Sequence, residues 1–263
     1  MGQSFSSYGT SVGVRVSDAA ALPPVLDRLP PGWQERRTTT VERLYSLVVG
    51  GKADGHVRRL NVLYGDADLL VRTRDLEEAL DTFAADVQLH VAERAPRHVF
   101  VHAGVVGWCG RAIVMPGRSF SGKTTLVEAL VRAGATYYSD DYAVFDAQGR
   151  VHPFPRPLAI RHNGAHVQER HAVESLGGVA GEVPLPVGLV AVTEYDSQLV
   201  GWRPEPLSTG NGVLELLAHA VSARRRPEAV LEALHRATAA AQVLKAPRGE
   251  ADGVAPRILE LVP

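Results

Sequence analysis

The sequence predicts an α/β fold in two modules, on three observations. Residues Ala112 to Asp141, AIVMPGRSFSGKTTLVEALVRAGATYYSDD, read as strand, glycine loop, helix and a second strand ending in two aspartates. From residue 98 onward, short apolar runs are interspersed with segments of helical period, the pattern of a sheet covered by helices. Residues 1–97 carry strand and helix signals but no comparable chemistry, and read as a small α+β module.

The bounds are ordinary. At 263 residues, with 45% hydrophobic and 22% charged, the chain has room for one large domain or two modest ones. A net charge of −1 argues against a generic nucleic-acid binder. The one cysteine, Cys109, allows no internal disulfide and no cysteine metal cluster, which suits a reducing cytoplasm; it is expected to be packed or semi-buried. The start, MGQSFSSYGTS, lacks a basic stretch and an apolar core, and no run reaches membrane-spanning length, so neither a signal peptide nor a membrane is expected.

In the first module, prolines punctuate a polar stretch with a short helix around Ala20–Leu29. Arg43–Val49, Leu60–Tyr64 and Ala67–Val71 read as strands between the turn signals Gly50–Gly51 and Gly65–Asp66. Asp75 caps a helix over Leu76–Glu93, with Leu76, Leu80, Phe83 and Val87 on one face.

Val99–Val106 is the next strand and carries His102, a position that suits either a hydrogen-bonded core imidazole or a functional one. Ala112–Met115 is a short apolar run, as in a strand buried on both faces. Gly117, Gly122, Lys123 and Thr124 then fit G-x-x-x-x-G-K-[ST], a phosphate-binding loop. Glycines let successive N–H groups turn inward onto phosphate oxygens. A lysine puts a compact charge on the β- and γ-phosphates, and the threonine hydroxyl is short enough to reach a Mg²⁺ between them. Leu126, Ala129, Leu130 and Ala133 lie on one helical face and Gly134 stops the helix, so the loop sits at a helix N-terminus, where anions are favoured. Nucleotide contacts are therefore expected at Gly117, Arg118, Ser119, Phe120, Ser121, Gly122, Lys123, Thr124 and Thr125. Tyr137–Ser139 leads into Asp140–Asp141, which is either a solvated turn or, beside a phosphate loop, a metal and base site.

Further on, Ala143–Phe145 and Val151–Phe154 read as strands joined by a turn at Asp146–Gly149. Arg161 is a candidate phosphate contact, and residues 163–186 read as a loop able to close over the site. His162, His166 and His171 lie in a loop signal that does not favour a histidine metal site. Gly188–Thr193 and Trp202–Leu207 are strands. Gly212–Ala223 is a helix with Leu214, Leu217, Ala218 and Val221 inward, ended by Arg224–Arg226. Pro227 opens another helix, Val243–Lys245 reads as an edge strand, and Val254–Leu261 as a last helix.

The order His102-Ala-Gly-Val-Val, phosphate loop, Ser139-Asp140-Asp141, then Val151-His-Pro-Phe-Pro-Arg-Pro-Leu resembles the catalytic domain of the HPr kinase/phosphorylase family, and more distantly ATP-dependent phosphoenolpyruvate carboxykinases. The resemblance implies a P-loop kinase core with a mixed sheet over residues 98–263, preceded by the small α+β module of residues 1–97. It implies ATP and Mg²⁺ as cofactors, phosphoryl transfer to a serine of a peptide or small protein, and a homo-oligomer. By this likeness Asp140 accepts the hydroxyl proton with His102 tuning it, while Thr124 and Asp141 hold Mg²⁺ and Lys123 neutralises phosphate charge. A small-molecule hydroxyl acceptor and a non-catalytic ATP switch are the alternatives. Two features depart from the family. Phe120 stands where its loop has a glycine, and Gly210-Asn211-Gly212 lacks the arginine of its Gly-Arg-Asn signature, which predicts a kinase without efficient phosphorylase activity.

Overall fold

The computed structural model describes residues 1–38, 40–50, 60–118, 121–160 and 169–262. It is a mixed α/β protein that divides into two compact units, Met1–Arg97 and His98–Pro263, each with its own mixed sheet.

The first unit contains β1 (Gly2–Ser7), β2 (Thr10–Val16), α1 (Leu22–Leu26), β3 (Gln34–Arg36), β4 (Arg43–Val48), β5 (Asn61–Gly65), β6 (Asp68–Thr73) and α2 (Leu76–Arg94). Its six strands run in the order β3-β1-β2-β4-β5-β6, antiparallel except where β2 meets β4. Strands β1 and β2 were not expected from this polar stretch, although Val12, Val14 and Val16 alternate and all turn inward. They meet Tyr45, Leu47 and Leu63 from the sheet, and Leu80, Phe83 and Val87 from α2, in one core. Asp75 caps α2 as expected, its carboxylate accepting from the Glu77 N–H at 3.0 Å.

The second unit contains β7 (Val99–Trp108), β8 (Arg111–Pro116), α3 (Lys123–Arg132), β9 (Thr136–Ser139), β10 (Tyr142–Phe145), β11 (Val151–His152), β12 (Leu158–Ile160), β13 (Glu169–His171), β14 (Val187–Tyr195), β15 (Glu205–Pro206), α4 (Thr209–Leu217), α5 (Pro227–Thr238), β16 (Gln242–Arg248) and α6 (Ala251–Glu260). Seven strands form the path β11-β10-β7-β8-β14-β16-β15, and β9 also pairs with β7. The parallel centre is β8-β14-β16; the remaining pairs are antiparallel. In β8, Ile113 and Met115 join one core with Leu126 and Leu130 of α3 and Val254 and Ile258 of α6. Ala112 and Val114 join a second core with Val213 and Leu216 of α4 and Val230 and Leu234 of α5. A strand packed on both faces needs a continuous apolar run, which is what Ala112–Met115 supplies.

Several expectations are corrected. Strand β16 lies between β14 and β15 instead of at an edge. Helix α4 ends at Leu217, so Arg224–Arg226 sit in the turn before α5, and it buries Gly212, Val213 and Leu216 while Leu214 is 60% exposed. The expected face misses because α4 lies down on its Gly212–Val213 side, where a Cβ on Gly212 would meet Val243 Cγ2 at 2.7 Å. Cys109 is exposed, in a two-residue hairpin turn between β7 and β8 where it has φ 48° and Gly110 φ 76°. Of the expected closing loop, the described part is tied down. Tyr137 N–H donates to the Val179 carbonyl at 2.8 Å, Gly181 N–H to the Tyr137 carbonyl at 2.7 Å, and Val151 and Leu185 bond each other reciprocally. Arg161, His162 and His166 lie outside the described residues.

Candidate functional site

The site is built where β8 hands over to α3. Gly122 is the N-cap of α3 with φ 82°, a left-handed conformation that glycine adopts without penalty and that turns the chain sharply into the helix. One turn on, α3 lies directly on β7: a Cβ on Gly104 would meet Val127 Cγ2 at 2.6 Å. That close approach holds the helix N-terminus against the strand bearing His102. The loop is tied to that strand as well, since the Gly117 N–H donates to the His102 carbonyl at 3.2 Å.

Lys123 folds back along the loop, its Nζ donating to the carbonyls of Gly117 at 3.0 Å and Arg118 at 2.6 Å. Burial lowers its pKa, opposed by the carboxylates of Asp141 and Asp140. Ser119 and Phe120 lie outside the described residues; Gly117, Arg118, Ser121, Gly122, Lys123, Thr124 and Thr125 follow one another from the end of β8 into the first turn of α3.

The two aspartates follow β9, and one buried hydroxyl shapes their turn. Ser139 Oγ accepts from the N–H groups of Asp141 at 3.2 Å and Tyr142 at 3.0 Å. The pair then diverges. Asp140 is enclosed, its Oδ2 accepting from Thr124 Oγ1 at 3.0 Å and its Oδ1 lying 3.0 Å from the Tyr137 hydroxyl, which is also 2.8 Å from the Arg156 carbonyl. Burial raises its pKa, against the pull of the Thr124 and Tyr137 hydrogen bonds. Asp141 stays open, with 39% of its side chain exposed. Its Oδ2 accepts from Arg156 Nη1 at 3.2 Å and its Oδ1 is 3.7 Å from His102 Nδ1.

This differs from the expected pairing. His102 stands beside Asp141 instead of Asp140, and Thr124 reaches Asp140 instead of Asp141. The reason is register: His102 pairs with Tyr142 across β7 and β10, and its ring lies 4.6 Å from the Tyr142 ring, one residue beyond Asp141. Asp140, at the end of β9, falls instead next to the first turn of α3.

Four site residues were missed in the sequence. Tyr137 was read only as a strand residue, and Arg156 lies in the quoted Pro-Phe-Pro-Arg-Pro stretch without a role. His219 bonds β7 through its carbonyl, which accepts from the His102 N–H at 2.9 Å. Its own pKa is lowered by burial and by the charges of Lys123, His102 and Arg118. The fourth, Arg248, comes from the end of β16. It is 2% exposed, and its Nη2 donates to the Gly122 carbonyl at 3.0 Å. Nothing in the spacing of these four marks them; tertiary folding assembles them.

A hydroxyl and a carboxylate that converge beside the loop, Thr124 and Asp140, fit a hard cation that prefers oxygen ligands and keeps several waters. Among the described residues no three His, Cys, Asp or Glu side chains are grouped as a metal-holding set, which leaves no closed cage of the structural-zinc kind. No helix of the described residues is long and apolar enough to cross a membrane. Compared with known proteins, the chain matches no family model and no curated protein.

Proposed function

We propose that the second unit is an ATP-dependent kinase that transfers the γ-phosphoryl group to a hydroxyl, with a serine of a peptide or small protein as the acceptor and without efficient reverse activity. The observation that carries this reading is the meeting of the loop's Thr124 with Asp140, directly beside an open Asp141 flanked by His102 and Arg156.

In this reading the loop N–H groups and Lys123 hold the β- and γ-phosphates. Thr124 and Asp140 would hold Mg²⁺, whose charge when bound offsets that of the phosphates. Asp141 is the base, reversing the roles that the family likeness implies. It is the carboxylate an incoming hydroxyl can reach, whereas both oxygens of Asp140 are already engaged. The acceptor oxygen bonds to the γ-phosphorus as the bond to the β–γ bridging oxygen breaks; Asp141 takes the hydroxyl proton and ADP leaves. His102 and Arg156 are positioning residues that fix Asp141. Most of the rate comes from positioning and charge stabilisation, so Lys123 matters at least as much as the base.

The test is ATP turnover with Mg²⁺ on serine-bearing peptides and small hydroxyl compounds, for the wild type and Lys123→Ala. Turnover on peptide, reduced ~10²–10³-fold in the variant, is expected. Transfer only to a small compound would move the acceptor class. Tight ATP binding with no transfer to any acceptor would leave a nucleotide-binding switch.

A further inference from the structure

The loop has a second flank that the transfer chemistry does not use. Strand β8 has β7 on one side and β14 then β16 on the other. All the acids and imidazoles named above lie toward β7. Toward β14, the C-terminal ends of the parallel strands bring Tyr195 and Arg248 beside Gly122. A Cβ on that glycine would meet Arg248 Nη2 at 2.8 Å and Tyr195 Cβ at 3.7 Å.

These side chains form a built surface. The Arg248 carbon Cζ stands 5.6 Å from the centre of the Tyr195 ring, backing one face of it. The Tyr195 hydroxyl donates to Glu250 Oε1, which fixes the ring's direction. Arg248 is almost wholly buried, donates to the carbonyls of Gly122 at 3.0 Å and Gly249 at 2.9 Å, and keeps a buried Nε with no partner. Yet Tyr195 is 43% exposed. An aromatic ring locked at its tip, braced by a cation behind and open in front, is a stacking platform.

A nucleotide lying along the loop with its γ-phosphate toward Asp141 must leave in the opposite direction, because β7 and its acids occupy the first side. In open α/β sheets, ligands lie outside the carboxyl ends of the strands. We propose that Tyr195, braced by Arg248 and Glu250, is the nucleobase platform of the site, taking the flat face of a purine while the loop takes the phosphates. This rests on the phosphate-loop reading above, but it asks for something more, a contribution from the base itself.

Calorimetric titration with Mg²⁺–ATP and with inorganic tripolyphosphate separates the two. The comparison is between wild type, Tyr195→Ala and Tyr195→Phe. The expected result is about ten-fold weaker ATP binding in Tyr195→Ala, unchanged tripolyphosphate binding, and ATP affinity kept in Tyr195→Phe, since stacking needs the ring and not the hydroxyl. Unaltered ATP binding in Tyr195→Ala, or an equal loss for both ligands, overturns the platform. A wild type that binds tripolyphosphate as well as ATP also overturns it while sparing the loop. A wild type that binds neither removes the loop reading and the platform together.

Discussion

The two flanks of β8 are built from opposite materials. Toward β7 lie two carboxylates, two imidazoles and the Arg156 guanidinium; Asp140 is enclosed, while Asp141, flanked by His102 and Arg156, and His102 itself are 39% and 37% exposed at the side chain. Toward β14 lies one buried cation, Arg248, bonded to backbone carbonyls and backing the exposed Tyr195 ring, whose hydroxyl Glu250 holds. The first arrangement leaves a carboxylate and an imidazole open to solvent, as the proposed transfer needs. The second cannot titrate near neutrality and serves to hold the loop's shape. One short apolar strand thus divides a reactive side from a rigid one.

Of changes on these two flanks, removing the proposed base, Asp141, should break that contrast most. In the proposed kinase, Asp141→Asn is expected to lower phosphoryl transfer about 10²-fold while ATP still binds, because that reading gives the phosphates to the loop and not to Asp141. Titrating ATP into the inactive variant checks this; lost binding would place Asp141 in nucleotide holding instead.

On the other flank the effect should appear as stability. Arg248→Met removes the guanidinium hydrogen bonds to the Gly122 and Gly249 carbonyls and leaves the Gly122 carbonyl with the Leu126 N–H at 3.0 Å alone, at a cost of about 1–3 kcal/mol. Urea denaturation of the wild type and variant measures it. No change in the midpoint would mean that the Leu126 N–H and water suffice for that carbonyl.

The smallest effect has the opposite sign. Asp140 has a raised pKa in the folded protein because burial disfavours its charge. The folded state therefore binds this proton more tightly than the unfolded one. Its contribution to stability is complete below the ordinary value of 3.8 and is lost as pH rises through the raised one. Asp140→Asn, which never ionises, should melt a few degrees above wild type at pH 7 without Mg²⁺, and the gap should close toward acid pH. Melting curves across that range decide it. A variant less stable at neutral pH would show that the hydrogen bonds from Thr124 and Tyr137 outweigh the burial of charge.

Much of this architecture was legible because local rules carry it. The continuous run of β8, the glycine at the start of α3, the Asp75 cap and the proline opening α5 each follow from a few neighbouring residues. Where the expectations failed, the cause was non-local. The face of α4 depended on its close approach to Val243, and the interior place of β16 depended on β15 folding back against it. Val12, Val14 and Val16 did alternate, but the serines and threonines around them masked β1 and β2.

The site divides in the same way. By itself the sequence determined that a glycine-bounded loop enters a helix and that two adjacent acids follow, because such a motif is contiguous and is read from neighbouring residues. It could not say which acid faces which partner. A shift of one residue sends Asp140 to Thr124 and Asp141 to His102, and that shift is set by the register of β7 against β9 and β10. Nor could it reach Arg248, which lies 126 residues from Gly122 along the chain. Only packing β16 beside β14 closes that distance, since the parallel alignment of strand ends is a property of the sheet and not of any segment within it.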